Sequence, residues 1–253
     1  MPLLEARHLS KHYGHAAPAV DDVSFTIERG HTLGLVGESG SGKSTIARMV
    51  MGLIPPTSGD VLFNNTSLTG LPPRQLRQLR SRLQIVFQDP YAALNPRMRI
   101  CDIVAEPLII HHAGPRSELR AKTVELLRAA GLDESALPRY PHEFSGGQRQ
   151  RINIARALAL RPELIVLDEP LSALDVSVAA QIANLLRDLQ REFSLTYLFI
   201  SHSMPMVRYL STRIAVLHHG RMVEYGDAAQ ICTAPRELYT QTLLAATPEI
   251  RIA

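Results

Sequence analysis

The sequence has only two cysteines and no long apolar run, and each of these two shortages argues against a class of protein. Cys101 and Cys232 stand far apart without neighbouring metal ligands, so we expect reduced packing residues rather than a disulfide framework or a zinc site. No window holds 18 uninterrupted apolar residues, and residues 1–7 lack the apolar centre of a signal peptide. We therefore expect a cytosolic chain that only partners could hold at a membrane.

The chain also lacks a large excess of charge of one sign, because the formal net charge of the 253 residues is only +3. The arginines are scattered along the chain rather than gathered into a basic stretch, which argues against a nucleic-acid footprint. With 45% hydrophobic residues the chain is long enough for one core, or for a core and a subdomain.

A glycine-rich motif between a predicted strand at 31–36 and a predicted helix at 46–51 is typical of a phosphate-binding loop. The motif consists of Gly37, Glu38, Ser39, Gly40, Ser41, Gly42, Lys43, Ser44 and Thr45. Its backbone N–H groups are expected to wrap the phosphates of ATP or GTP, with Lys43 at the β- and γ-phosphates and Ser44 on Mg²⁺. A flexible Gly/Ser loop is the plain alternative.

Two carboxylates, Asp168 and Glu169, follow the apolar run Leu164–Leu167. Adjacent acids at the tip of a buried strand are costly unless a cation and a reaction use them. We expect Asp168 to hold Mg²⁺ and Glu169 to orient the attacking water. The alternative is a surface turn before Pro170.

A second anion site is predicted where a helix begins at Ser145, Gly146, Gly147 and Gln148. A serine cap and two glycines leave backbone N–H groups open at the positive end of a helix. Such a site is redundant beside the phosphate loop of its own subunit, so it makes sense if it faces the nucleotide of another subunit.

The remaining patterns predict the layers of the fold. The first thirty residues alternate in the manner of short antiparallel strands, and residues 89–155 show a helical pattern at 117–130 without a convincing strand. Strands and helices alternate from residue 164 onward, which predicts a mainly parallel sheet covered on both faces.

In this order, the motifs resemble those of the ATP-binding cassette (ABC) ATPases. The resemblance implies an α/β fold of the P-loop NTPase type, with a mainly parallel sheet, an N-terminal antiparallel β subdomain and an inserted helical subdomain. It implies one ABC ATPase domain over 1–253, with a nucleotide-binding core at 1–88 and 156–253 and a helical signature subdomain at 89–155. Two cassettes would pair head to tail around ATP and Mg²⁺.

Further roles follow from the resemblance alone. Tyr13 matches the aromatic that stacks on adenine, and Gln88 matches the glutamine that meets Mg²⁺ and the attacking water. Asp175 matches a loop that crosses the dimer interface, and His202 matches the switch histidine at the γ-phosphate. Glu169, His202, Gln88 and Lys43 are therefore the expected catalytic set. Ser203 departs from the family, which usually has Asp there.

The segments 89–98, 102–108 and 239–244 are similar to the peptide and nickel branch of ABC importers. That branch implies a second ATPase subunit, two permeases and an extracytoplasmic solute-binding protein, with the chain at the cytoplasmic face of the inner membrane and no nucleic acid bound. The end of the chain soon after Leu244 favours the shorter of the branch's two ATPase types.

Two other function classes stay open from the sequence. A soluble ABC ATPase acting on ribosomes or DNA usually carries two cassettes or a long coiled-coil insertion, and neither pattern occurs in these residues. A GTPase or metabolite kinase would leave the motif at 145–148 unexplained.

Overall fold

The structure is a computed structural model that describes residues 1–14 and 17–246. The strands in this part are β1 (Leu4–Lys11), β2 (Val20–Ile27), β3 (Thr32–Val36), β4 (Ser58–Phe63), β5 (Thr66–Ser67), β6 (Leu83–Val86), β7 (Leu164–Asp168), β8 (Thr196–Ile200), β9 (Arg213–His218) and β10 (Arg221–Asp227). The helices are α1 (Lys43–Val50), α2 (Pro73–Arg80), α3 (Ile100–Ile110), α4 (Arg116–Ala129), α5 (Gly146–Leu158), α6 (Val176–Phe193), α7 (Met204–Leu210), α8 (Ala228–Thr233) and α9 (Leu238–Ala245).

The strands form two sheets, as the sequence patterns predict. The antiparallel sheet has the order β2-β1-β4-β5, and the mixed sheet has the order β10-β9-β3-β8-β7-β6. In the mixed sheet every neighbouring pair is parallel except β9 and β10. All residues of β3 and β8 are buried, as expected for central strands covered on both faces.

The parallel register brings several strand ends to one edge of the mixed sheet. Leu35 of β3 and Asp168 of β7 both lie opposite Ile200 of β8. The residues that follow these strands therefore leave the sheet side by side, and the phosphate loop, Glu169 and His202 are among them.

Three hydrophobic clusters hold the layers together. One lies between the antiparallel sheet, α1 and one face of the mixed sheet, and a second lies between the other face and α6 and α7. The third joins α3, α4 and the middle of α5. Helix α5 takes part in two of them, with Ile152 in the third and Ile154 in the second, so the predicted boundary at 155 and 156 falls inside a continuous helix.

The helical character of residues 89–155 agrees with the sequence pattern. The helix predicted at 117–130 is α4, and Gly131 follows it with φ 74, the left-handed conformation that glycine adopts after a helix end. Helix α1 begins at Lys43, three residues earlier than its apolar pattern. Within the described residues, no helix has both the length and the hydropathy needed to cross a membrane.

A cluster around Glu163 ties the two sheets together. Glu163 directly precedes β7 and pairs with Arg82, which precedes β6, and with Arg29, which follows β2, at 2.6 Å. The side-chain amide of Asn64, after β4, donates to the same carboxylate at 3.3 Å. Burial alone would raise the pKa of Glu163, but the hydrogen bonds from Arg82, Arg29 and Asn64 outweigh it and lower the pKa to about 2.

Replacing Glu163 by Gln is expected to lower the free energy of unfolding at pH 7 by about 1 to 2 kcal/mol, because charged hydrogen bonds are lost. The folded-state pKa lies below the ordinary value of 4.5. The stabilisation should therefore be complete above about pH 4.5 and fade as the pH falls toward 2. Denaturant unfolding of the wild type and Glu163→Gln at pH 7, 5, 4 and 3 measures the difference, and a difference independent of pH would contradict this account.

Candidate functional site

The phosphate loop leaves β3 at Gly37 and enters α1 at Lys43, in a conformation that depends on its glycines. Gly37 and Gly42 have φ 150 and φ 105. A Cβ at Gly37 would lie 2.2 Å from the carbonyl oxygen of Leu217, and one at Gly42 would lie 2.3 Å from that of Ala19. A Cβ at Gly40 would meet no described atom within 4 Å. The loop is thus closely packed against other backbone at Gly37 and Gly42, and it is open at Gly40.

Lys43 lies under this loop and is 5% exposed. Its Nζ donates to the carbonyl oxygens of Gly37 at 2.8 Å and Glu38 at 2.7 Å. Burial lowers the pKa of Lys43, while the carboxylates of Glu169, Asp168 and Glu38 oppose that shift. The N-cap of α1 is Gly42, which has no side chain to cover the first N–H groups of the helix, so they remain open to an anion.

The other residues of the predicted phosphate loop differ in how far they are exposed to solvent. Ser41 is buried, Thr45 is half-buried, and Glu38, Ser39, Gly40 and Ser44 are exposed.

Asp168, the last residue of β7, lies beside the start of α1. Its Oδ1 accepts a hydrogen bond from Ser44 Oγ at 3.2 Å. Burial raises the pKa of Asp168, the bond from Ser44 lowers it, and the neighbouring Glu169 raises it again. The structure therefore brings Ser44 and Asp168 together, as the sequence predicts for a shared cation.

Glu169 has a backbone conformation that the sequence did not predict. Its φ is 49, in the left-handed region that non-glycine residues seldom enter, at a cost of about 1–3 kcal/mol. Its N–H donates to the carbonyl oxygen of Ile200 at 3.0 Å, which holds the turn against β8. Strain of this kind persists where the surroundings over-determine the backbone, as they do at many functional sites.

Two further predicted residues converge on the Glu169 carboxylate. Gln88, after β6, donates its side-chain amide to Glu169 Oε2 at 3.3 Å, and His202, after β8, places Nδ1 3.2 Å from the same oxygen. A carboxylate only accepts, so Nδ1 is the donor in this pair. Four separate segments of the chain thus meet within one cleft.

The segment 145–148 is not part of this cleft. Ser145 Oγ accepts from the N–H of Gln148 at 3.3 Å, and Gln148 Oε1 accepts from the N–H of Ser145 at 3.0 Å. This capping box satisfies two of the groups that the sequence left open, so Gly146 and Gly147 supply the uncovered N–H groups. Asp175 caps α6 through the N–H of Val178 at 2.9 Å.

Tyr13 lies two residues after the end of β1. Its side chain is 50% exposed, and the Nζ of Lys11 lies 5.4 Å from its ring centroid. An exposed aromatic face of this kind is available for stacking.

Sequence reasoning gave no site role to Tyr239 or to the turn at Gly220. The Tyr239 hydroxyl accepts from the N–H of Glu38 at 3.3 Å, and the N–H of Gly220 donates to the Ser41 carbonyl at 3.1 Å. Both contacts span about 180 to 200 positions of the chain, so no local pattern could reveal them. In the sequence, the segment 239–244 was notable only for its similarity to the peptide and nickel branch of ABC importers.

The profile of the ABC transporter family matches residues 20–172, which contain the phosphate loop, the segment 145–148 and both carboxylates. The chain belongs to the ABC transporter family. This ABC cassette is 51% identical over 251 residues to the oligopeptide transport ATP-binding protein OppF of Bacillus subtilis, covering 97% of the chain and 82% of OppF. It is 48% identical over 250 residues to a putative peptide import ATP-binding protein of Brucella ovis, covering 98% of the chain and 79% of that relative.

Solved structures of ABC cassettes share its fold. The cassette MJ0796, solved as a dimer in a post-hydrolysis state bound to ADP and Pi, aligns with a TM-score of 0.81 at 31% identity, over 89% of this chain and 98% of that one. The cbiO1 protein of Clostridium perfringens, part of the ABC transporter complex cbiONQ, aligns with a TM-score of 0.83 at 27% identity, over 91% and 90%. The predicted fold class and family are confirmed.

Replacing Asp168 by Asn is expected to stabilise the cassette in the absence of nucleotide and metal. The raised pKa of Asp168 means that its charged form costs folding free energy at pH 7, and the neutral amide removes that cost. A gain of about 1 kcal/mol would raise the melting temperature by about 2–4 °C. Calorimetry in EDTA measures it, with Asp188→Asn on α6 as control, and an unchanged or lower melting temperature would contradict this electrostatic account.

Proposed function

We propose that this chain is the ATP-hydrolysing subunit of an ABC importer that takes up peptides. The observation that carries the proposal is the convergence of Gln88 and His202 on Glu169, beside the loop that buries Lys43. A carboxylate at the edge of a phosphate-binding cleft, held by two groups from different strands, suits a residue that orients water for phosphoryl transfer.

ATP would bind with its phosphates on the open N–H groups of the loop and of α1. The ammonium of Lys43 would exchange the carbonyl oxygens of Gly37 and Glu38 for phosphate oxygens, because hydrogen bonds between two charged groups are the stronger ones. Tyr13 is proposed to stack on the adenine ring, since its exposed face makes a contact that needs no hydrogen-bond pattern.

Mg²⁺ is proposed to bind between Ser44 and Asp168, with Gln88 as a further oxygen ligand. The donor set fits, because a hydroxyl and a carboxylate 3.2 Å apart are hard oxygen ligands and a cation would offset the cost of the partly buried carboxylate. When bound, Mg²⁺ would neutralise charge on the phosphate oxygens. Glu169 would hold the attacking water in line, and His202 would keep the Glu169 carboxylate in place while contacting the γ-phosphate.

A second cassette is proposed to complete the site. Among the described residues of one chain, the helix end at Gly146 and Gly147 makes no hydrogen bond to the phosphate loop, although it is suited to an anion. Paired head to tail, this end of one subunit would close over the ATP held by the other, with Asp175 at the interface. The MJ0796 cassette, solved as a dimer with ADP and Pi, supports this arrangement.

The solute and the partners are proposed from the relatives. OppF and the Brucella protein are named for oligopeptide transport and peptide import, so we propose a peptide rather than nickel as the solute. Two permeases and an extracytoplasmic binding protein would complete the importer, with this chain at the inner face of the membrane. The small net charge and these names disfavour the alternative of a ribosome- or nucleic-acid-acting ATPase.

The deciding experiment measures ATP turnover by the chain with its sister cassette and permeases in lipid vesicles. Peptide-loaded binding protein is expected to stimulate turnover, and Glu169→Gln is expected to lower it about a hundred- to a thousandfold, the usual cost of losing one preorganised contact. ATP binding should persist, because the glutamine leaves the phosphate loop intact.

Glu192→Gln is the matched control, since it makes the same change at an exposed position of α6. Full turnover by Glu169→Gln would remove that residue from its proposed role. Stimulation by RNA or ribosomes in place of peptide would favour the alternative function.

Gly146→Ala tests the head-to-tail pairing without disturbing the fold. A Cβ at Gly146 would lie 3.5 Å from the Leu174 side chain, an ordinary contact, so stability and ATP affinity of the single chain should not change. In the dimer that methyl group would stand between the helix end and the phosphates, where close backbone approach is needed. Light scattering with Mg-ATP should show at least a tenfold loss of dimer.

Gly147→Ala provides the contrast, because its Cβ would lie 2.4 Å from Val178 Cγ1 and is expected to destabilise the monomer as well. An undiminished ATP-dependent dimer of Gly146→Ala would contradict the proposed interface.

A further inference from the structure

Tyr239, on helix α9, forms a hydrogen bond to the phosphate loop. Its hydroxyl accepts from the N–H of Glu38 at 3.3 Å. Its ring stacks on His218, with the ring centroids 3.9 Å apart and the planes 20° apart. Tyr239 therefore joins three elements that are distant in the sequence: α9, the end of β9 and the loop.

Glu38 is the residue on which the loop folds back. Its carbonyl oxygen accepts from Lys43 Nζ at 2.7 Å and from the N–H of Ser41 at 3.2 Å. Its N–H and its carbonyl are thus both engaged, the first by Tyr239 and the second by the loop itself. A restraint on Glu38 is consequently a restraint on Ser41 and Lys43.

The end of β9 and the turn between β9 and β10 pack against the phosphate loop. The N–H of Gly220 donates to the Ser41 carbonyl at 3.1 Å, and the Leu217 carbonyl lies so close to Gly37 that a Cβ there would be 2.2 Å away. His218, on which Tyr239 stacks, belongs to this same turn region. The loop is therefore held by the hairpin on one side and by the Tyr239 hydroxyl on another.

The start of α9 is itself anchored to the hairpin. The Glu224 carboxylate on β10 accepts from the N–H of Arg236 at 3.0 Å and of Glu237 at 3.3 Å. Burial alone would raise the pKa of Glu224, but the bonds from the Arg236 and Glu237 backbone outweigh it and lower the pKa. Thr240 is fully buried, so the chain is held at Glu237 before Tyr239 and at Thr240 after it.

We propose that Tyr239 is a positioning residue for ATP binding, and that α9 acts as a strap that holds the phosphate loop in its binding shape. The inference deepens the proposed function and rests on it. A glycine-rich loop loses conformational freedom when it closes on phosphates, and a restraint already present in the free protein reduces that loss. The strap acts on binding to the phosphates in ground state and transition state alike, so it affects KM rather than kcat.

Tyr239→Phe tests the proposal, because it removes the hydroxyl and keeps the stacked ring. We expect the KM for ATP and the dissociation constant for ADP to rise about two- to tenfold, the value of one hydrogen bond, with kcat changed less than twofold. Amide hydrogen exchange at Glu38 should be faster in the variant without nucleotide. This second readout does not depend on hydrolysis or transport.

Tyr225→Phe is the matched control, since that tyrosine on β10 bonds through its hydroxyl to Thr26 instead. Glu224→Gln, which loosens the start of α9, is also expected to raise the KM for ATP. In the double variant with Tyr239→Phe and Glu224→Gln, the change in the free energy of ATP binding should be smaller than the sum of the two single changes. If the Tyr239→Phe and Tyr225→Phe variants have the same KM for ATP and the same exchange rate at Glu38, while the wild type hydrolyses ATP, the proposed role of Tyr239 and α9 is wrong. If the wild type binds no ATP, the proposed function fails too.

Discussion

The parallel register of β3, β7 and β8 is the constraint on which the whole site depends. It aligns the ends of the three strands at one edge, so that Gly37, Glu169 and His202 leave the sheet together. The strands are buried on both faces, and a slip of one residue would turn every apolar side chain toward the wrong layer. Core packing thereby fixes the positions of polar groups that lie outside the core.

Electrostatics makes this edge suited to a charged ligand. Lys43 is buried against the loop's own carbonyl groups, and Asp168 keeps a carboxylate in a site whose burial raises its pKa. Glu169 adds a strained backbone and a second carboxylate. Each feature costs folding free energy in the free protein, and bound ATP with Mg²⁺ would offset that cost. The arrangement therefore serves ligand binding rather than the stability of the fold.

Much of the fold could be predicted because its causes are local. The apolar runs of β3, β7 and β8, the pattern of α4 and the glycine after it, and the alternation in β1 and β2 are all short-range features, and the structure confirms them. The boundary at residue 155 was less predictable, since α5 runs through it and packs into two clusters. The capping box at Ser145 and Gln148 also reduced the number of open N–H groups, because side chains three residues apart on a helix start can satisfy each other.

By itself the sequence determined which chemical groups are present and which local shapes they take: a glycine loop before a helix, two acids after a strand, a capped helix end. Family and fold class followed from the order of these motifs. Only the tertiary structure decided that Gln88 and His202 meet on one oxygen of Glu169, that Glu169 adopts a left-handed backbone, and that Tyr239 reaches Glu38. These contacts join segments separated by tens to hundreds of residues, and their distances are set by the packing of whole layers rather than by any neighbouring residue.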